Sequence, residues 1–111
     1  MLTLKEITKE IAAGLSVPPR PLKAILFGSL AHGTSREGSD IDLVVILDKE
    51  GKSGSYKALI NNRMEISRKL RKLKKKYPID VLVYTKDEWE ELRASGSSFI
   101  ETIENEGIII L

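Results

Sequence analysis

The feature of this sequence that most restricts its fold is the apolar run from Ile41 to Leu47. It is short, almost unbroken and rich in branched side chains, which predicts a β-strand that is covered on both faces. A second apolar run, residues 22–27, is closed by Gly28, and a third, residues 79–84, follows Pro78. Runs of this length between turn residues are typical of strands. We therefore expect a sheet that contains these three strands.

The segments between the strands have apolar residues at helical spacing. Thr3 with Glu6 forms a capping-box pattern that predicts a helix from about residue 3 to 15. The longest helix is predicted from Tyr56 to Tyr77, where Pro78 ends it. Two further capping-box patterns predict short helices that begin at Thr85 with Glu88 and at Ser98 with Glu101, the last one ending at Gly107. Strands alternating with helices indicate an α+β, or mixed α/β, sheet flanked by helices.

Length and composition restrict the class of protein. A chain of 111 residues with 41% hydrophobic residues is expected to form one domain over residues 1–111. With no cysteine and with His32 as the sole histidine, thiolate and ordinary zinc sites are excluded, so any metal must be bound by oxygen. No segment has the length or the hydrophobicity of a membrane span or a signal peptide, so we expect a cytoplasmic protein with no membrane partner.

Two carboxylates stand at the start of the second strand. Residues two apart on a strand share a face, which places Asp40 beside Asp42. Like charges this close repel each other, whereas Mg²⁺ lets both stay ionised as hard oxygen ligands. Asp80, near the start of the third strand, is the candidate third ligand, and three carboxylates suit two ions about 3.5–4 Å apart. Asp48 lies roughly 20 Å further along the strand and is excluded.

A lone Asp-x-Asp is more often an ordinary polar strand end, with Asp40 capping a turn. The segment upstream makes the functional interpretation stronger, because Gly28 and Ser29 close one strand in the manner of a phosphate-binding turn. Arg36 and Ser39, in the same loop, are further candidates for phosphate contacts. Turn formation explains Ser39 about as well, and an exposed loop arginine is usually only solvated. Taken together, the phosphate-binding turn and the carboxylate pair are far more specific than either alone.

The joined motif of residues 28–33 and 39–43, Gly-Ser-Leu-Ala-His-Gly and Ser-Asp-Ile-Asp-Leu, resembles the signature of the polymerase beta-like nucleotidyltransferase superfamily, and most of all its minimal prokaryotic branch. The resemblance covers the chain in element order and implies the palm fold of that superfamily. It also implies that Gly28 and Ser29 hold the triphosphate of ATP or another nucleoside triphosphate, that Asp40 and Asp42 bind Mg²⁺, and that Asp80 helps to activate the acceptor. Many relatives have arginine at the position of His32.

The resemblance also implies a partner. Minimal nucleotidyltransferases are typically paired with a small helical HEPN-type protein in a toxin-antitoxin module, in which the antitoxin transfers AMP to a hydroxyl of its partner. Two alternatives stay open. One is a non-catalytic antitoxin that covers its partner, and the other is transfer to a small molecule, which in similar enzymes relies on an additional helical domain.

Two other features have simpler explanations. Seven cations crowd the end of the long helix from Arg68 to Lys76 without one acidic residue, and a solvated face stabilised by the helix dipole is the default. The run is also a candidate docking surface for an acidic partner, as is the apolar C-terminus, whereas nucleic acid is disfavoured because few aromatic residues stand nearby. Trp89 is interpreted as a helix-packing residue with no role in the site.

Overall fold

The computed structural model describes residues 3–28, 31, 40–51 and 54–111. Its elements in chain order are α1 (Leu4–Leu15), β1 (Lys23–Phe27), β2 (Ile41–Leu47), α2 (Tyr56–Lys69), α3 (Arg71–Lys76), β3 (Ile79–Thr85), α4 (Lys86–Ala94), α5 (Ser98–Glu106) and β4 (Ile108–Ile109). The three predicted strands are present, and so is the predicted alternation of strands with helices.

The strands form a mixed sheet in the order β3-β2-β1-β4. β2 and β3 run parallel, whereas β1 is antiparallel to both β2 and β4. The connection from β2 to β3 passes through α2 and α3, as parallel strands require. The prediction of an α+β fold with a mixed sheet flanked by helices is confirmed.

The sequence does not predict β4, since the apolar C-terminus is assigned there only as a candidate docking surface. Instead, Ile108 and Ile109 pair with β1, and the N–H of Ile110 donates to the carbonyl of Ala24 at 2.8 Å. Ile110 and Leu111 pack against the main core, and Ile109 stays 62% exposed. The C-terminus is therefore part of the sheet, and its role as a docking surface stays a prediction.

Alternate residues of the strands supply the two sides of the core. On one side Leu43 and Val45 of β2 pack with α1, α2 and α3. On the other side Val44 and Ile46 pack with Trp89 of α4 and with two isoleucines of α5. This burial on both faces explains why β2 lacks a polar alternation.

Helix caps follow the sequence with one exception. The capping boxes of Thr3 with Glu6 and of Thr85 with Glu88 are both formed. The helix expected to begin with Ser98 as its cap is instead capped by Ser97, whose hydroxyl accepts from the N–H of Ile100 at 3.4 Å. The pattern favours Ser98 because Glu101 stands three residues later, but the adjacent Ser97 offers the same hydroxyl to the start of the helix.

The single long helix predicted from Tyr56 to Tyr77 is wrong in one respect, because the backbone leaves helical geometry at Leu70 (φ −104°, ψ 13°) and separates α2 from α3. The bend lies where α1 crosses. A Cβ on Gly14 of α1 would lie 2.6 Å from the carbonyl oxygen of Lys69, so the two backbones approach closely at this point. Tertiary packing has thus overridden a helical pattern that contains no breaking residue.

Within the described ranges, no helix has both the length and the hydrophobicity needed to cross a bilayer.

Candidate active site

The pairing of β2 with β3 brings two of the predicted ligands side by side. In the parallel register Asp42 is opposite Asp80, and the N–H of Ile41 donates to the carbonyl of Pro78 at 2.9 Å just before this pair. On its other side Asp42 is opposite Phe27 of β1. Since Asp42 precedes Val44 by two residues, its side chain lies on the face of the sheet covered by α4 and α5. The site is therefore at the end of that face.

The third predicted ligand, Asp40, interacts electrostatically with Asp42. Asp40 and Asp80 are exposed, whereas Asp42 is half-buried. Partial burial raises the pKa of Asp42 above its usual value, and the negative charges of Asp80 and Asp40 raise it further. The register and the place of Asp40 just before β2 put all three predicted ligands at one end of the sheet, which accounts for the repulsion that raises the pKa of Asp42.

The donor set fits a hard divalent cation. All three groups offer carboxylate oxygens, and a dication among them would offset the repulsion that now disfavours ionised Asp42. In the ranges that the structure describes, no set of three or more acidic, histidine or cysteine side chains is already arranged as a metal cage. The fit to a cation therefore rests on the chemistry of the three donors and on the register that pairs Asp42 with Asp80.

Gly28 lies against the central carboxylate. Its φ is +77°, a conformation that favours glycine, and a Cβ built on it would overlap Oδ2 of Asp42 and lie 3.2 Å from the Cγ. The absence of a side chain at this position is therefore a condition for the present position of Asp42. Gly28 was predicted as part of a phosphate-binding turn, and the structure adds this contact with the carboxylate.

Several predicted site residues fall outside the described part of the chain. His32 also lies there, and the candidates for phosphate contacts are Ser29, Arg36 and Ser39. Their roles in binding the triphosphate stay predictions.

Two aromatic side chains near the site were not singled out from the sequence. Phe27, next to Asp42 in the register, meets the ring of Phe99 edge to face, with centroids 5.8 Å apart and an interplanar angle of 90°. Phe99 belongs to α5, so this contact depends on the packing of a distant helix. Sequence spacing contains no signal for it.

The two residues that the sequence excluded lie away from the site. Asp48 follows the last residue of β2, at the opposite end of the strand from Asp42, and pairs with Lys86 at 3.2 Å. Trp89 is 4% exposed and packs in the core beside Tyr84, with ring centroids 5.6 Å apart. Its interpretation as a packing residue is confirmed. Its buried Nε1–H has no hydrogen-bond acceptor among the described residues.

Comparison with known proteins agrees with this geometry. No curated protein gives a significant match to the chain. The family model described as "Polymerase beta, Nucleotidyltransferase" matches residues 9–111, a range that includes Gly28 and the three carboxylates. The match covers nearly the whole sequence and coincides with the mixed sheet that carries Asp42 and Asp80. The chain therefore belongs to the polymerase beta-like nucleotidyltransferase family.

Proposed function

We propose that this protein is a cytoplasmic, Mg²⁺-dependent nucleotidyltransferase of one domain that transfers AMP from ATP to a hydroxyl of a partner protein. The observation that carries the proposal is the pairing of Asp42 with Asp80 next to Gly28, in a chain of the polymerase beta-like family. Its resemblance to the minimal branch supports a HEPN-type protein as the partner and the antitoxin of a toxin-antitoxin module as the role.

The carboxylates have separate tasks in this proposal. Asp40 and Asp42 would bind the metal, and Asp80 would bind it as well and help to activate the acceptor hydroxyl. Bound Mg²⁺ would supply charge neutralisation for the triphosphate and lower the pKa of the acceptor hydroxyl. Burial and both neighbouring charges raise the pKa of Asp42, so a bound Mg²⁺ would favour its ionised form.

The glycine and the loop after it would position the donor. Gly28 brings the backbone close to the carboxylate of Asp42 without a side chain in the way. Ser29, with Arg36 and Ser39, would donate hydrogen bonds to the phosphates. Holding the α-phosphate in line with the acceptor hydroxyl is the main contribution that positioning makes to such a transfer.

The exposure of the ligands supports a large acceptor. Asp40 and Asp80 both reach solvent, so a hydroxyl on another protein could approach them from outside. A binding module that only covers its partner gains nothing from carboxylates that repel one another, which favours catalysis over steric masking.

The test is to incubate the protein with the product of the adjacent gene, Mg²⁺ and each nucleoside triphosphate in turn, and to weigh both proteins by mass spectrometry. We expect the partner to gain the mass of AMP when ATP is the triphosphate supplied, and to gain no mass with the other triphosphates. Asp42→Asn and Asp80→Asn should abolish the gain, whereas Asp48→Asn, which removes a carboxylate from the opposite end of β2, should retain it. Equal modification by wild type and Asp42→Asn, or tight binding of the partner without any gain of mass, would refute the proposal.

A further inference from the structure

The cations at the end of the long helical segment line a groove of about 560 Å³ between α1 and the junction of α2 with α3. Its rim carries Arg68, Arg71, Lys72 and Lys76, and Ala13 and Gly14 of α1 form part of its opposite wall. Gly14, in the α1 wall, allows the close approach of α1 to the bend at Leu70, so residues of three helices together line the groove. It is therefore a built feature of the fold and not only a row of charges on one helix.

The charges of the groove are largely uncompensated by the protein itself. Lys76 pairs with Glu10 at a distance of 3.8 Å between two exposed side chains. Arg68, Arg71 and Lys72 form no ion pair with any described residue, and Glu10 is the one carboxylate among the lining residues. A concave surface lined by cations focuses a positive potential, so it favours a ligand with several negative charges.

One residue of the groove, Lys76, is also close along the chain to the candidate ligand Asp80. α3 ends at Lys76, and the chain then passes through residues 77 and 78 into β3, where Asp80 is the second residue. Four residues span at most about 14 Å. The groove residue Lys76 is therefore at most about 14 Å from Asp80, although the groove and the carboxylates are on different faces of the sheet.

We propose that this groove docks an acidic amphipathic segment of the protein that receives the nucleotide. The inference rests on the proposed function, because it assigns a binding surface to the acceptor of that reaction. A protein segment is favoured over RNA for two reasons. Ala13, Gly14, Leu70 and Leu73 give the groove an apolar lining, and among its described lining residues no aromatic side chain is available for stacking of bases.

Direct binding tests the proposal without nucleotide or metal, on the Asp42→Asn protein, so that its outcome is independent of transfer. The probes are a fluorescent helical peptide with glutamates on one face and leucines on the other, its glutamine counterpart, and a single-stranded RNA of equal charge. We expect anisotropy to show binding of the glutamate peptide, and at least tenfold weaker binding of the other two probes.

Two matched pairs of substitutions locate the site. Arg71→Glu with Lys72→Glu should weaken peptide binding at least tenfold, whereas Lys5→Glu with Lys57→Glu, an identical change of charge at exposed positions outside the groove, should change it less than twofold. Ala13→Leu fills the groove without altering its charge and should also weaken binding, at an unchanged melting temperature.

Any of four results would overturn the proposal. These are equal effects of the two charge reversals, unchanged binding by Ala13→Leu, tighter binding of RNA than of the peptide, and no binding of the peptide. Because all proteins in this test are inactive by design, none of these results affects the transfer experiment. Conversely, a failure of transfer with intact peptide binding would refute the proposed reaction and leave the groove assigned.

Discussion

Replacement of Gly28 by alanine should disable the site in a way that its effect on stability does not explain. A φ of +77° costs a non-glycine residue roughly 1–2 kcal/mol, and the added Cβ would also overlap Oδ2 of Asp42. The carboxylate must then move, and a displacement of about 1 Å in a reacting group can cost on the order of 100-fold in rate. We expect at least that loss of transfer from Gly28→Ala.

Gly96 provides the matched control. It has the same φ of +77°, but a Cβ there would meet no atom within 4 Å. Gly96→Ala should therefore lose about 1–2 kcal/mol of unfolding free energy in urea titrations, through the same backbone strain, and keep nearly full activity below its melting temperature.

Two measurements separate the effects. The first is the rate of nucleotide transfer at a temperature at which all proteins are folded, and the second is the rise in melting temperature produced by Mg²⁺ and ATP, which reports binding without turnover. Gly28→Ala should lose both, and Gly96→Ala should lose neither. If Gly28→Ala transfers as fast as Gly96→Ala, then the contact between this glycine and Asp42 does not shape the site.

The other predictions concern charge, capping and close packing. The pKa of Asp42 is raised above 3.8, so the folded protein binds its proton more tightly than the unfolded chain, and stability falls as the pH rises from below 3.8 through the folded-state pKa. Asp42→Asn removes that loss of stability, so in the presence of chelator its melting temperature should exceed that of wild type at pH 7. The difference should vanish below pH 3.8, and an equal difference at both pH values would contradict this reasoning. Thr85→Val removes a buried helix cap whose hydroxyl also donates to the carbonyl of Gly51. Urea titration should show a loss of about 1–2 kcal/mol in unfolding free energy, which should be greater than the loss for Thr3→Val at an exposed cap. Gly107→Ala would place a Cβ against Ile25 and 2.5 Å from the carbonyl oxygen of Ile103, so it should destabilise by at least about 1–3 kcal/mol, and wild-type stability would show that α5 can shift freely.

Local patterns in the sequence predicted much of the fold. The strands, the capping boxes at Thr3 and Thr85, and the packing role of Trp89 depend on residues that are close in sequence, and each was found. The clustering of the candidate ligands followed from a simple rule as well, since Asp42 and Asp80 each stand second in a strand and the two strands are parallel.

Contacts between distant segments could not be predicted in the same way. The bend at Leu70 arises from the approach of Gly14, which is far away in sequence. The pairing of Ile109 with Ile25 needs a register that no short pattern contains. The close approach of Gly28 to the side chain of Asp42 depends on strand geometry, because Asp42 pairs with Phe27 and not with the glycine itself.

The pairing of β4 with β1 also has a consequence for the order in which the molecule assembles. Ile25 and Ile109 are 84 positions apart, so this ladder closes a loop that contains most of the chain, whereas β2 and β3 close a much shorter one through α2 and α3. Because loop closure costs more entropy as the loop lengthens, the β1–β4 ladder is expected to form late. The same ladder is only two residues long, so it should also be among the first parts of the sheet to open in the native state. Amide exchange at Ile110, whose N–H donates to Ala24, should consequently be faster than exchange along β2.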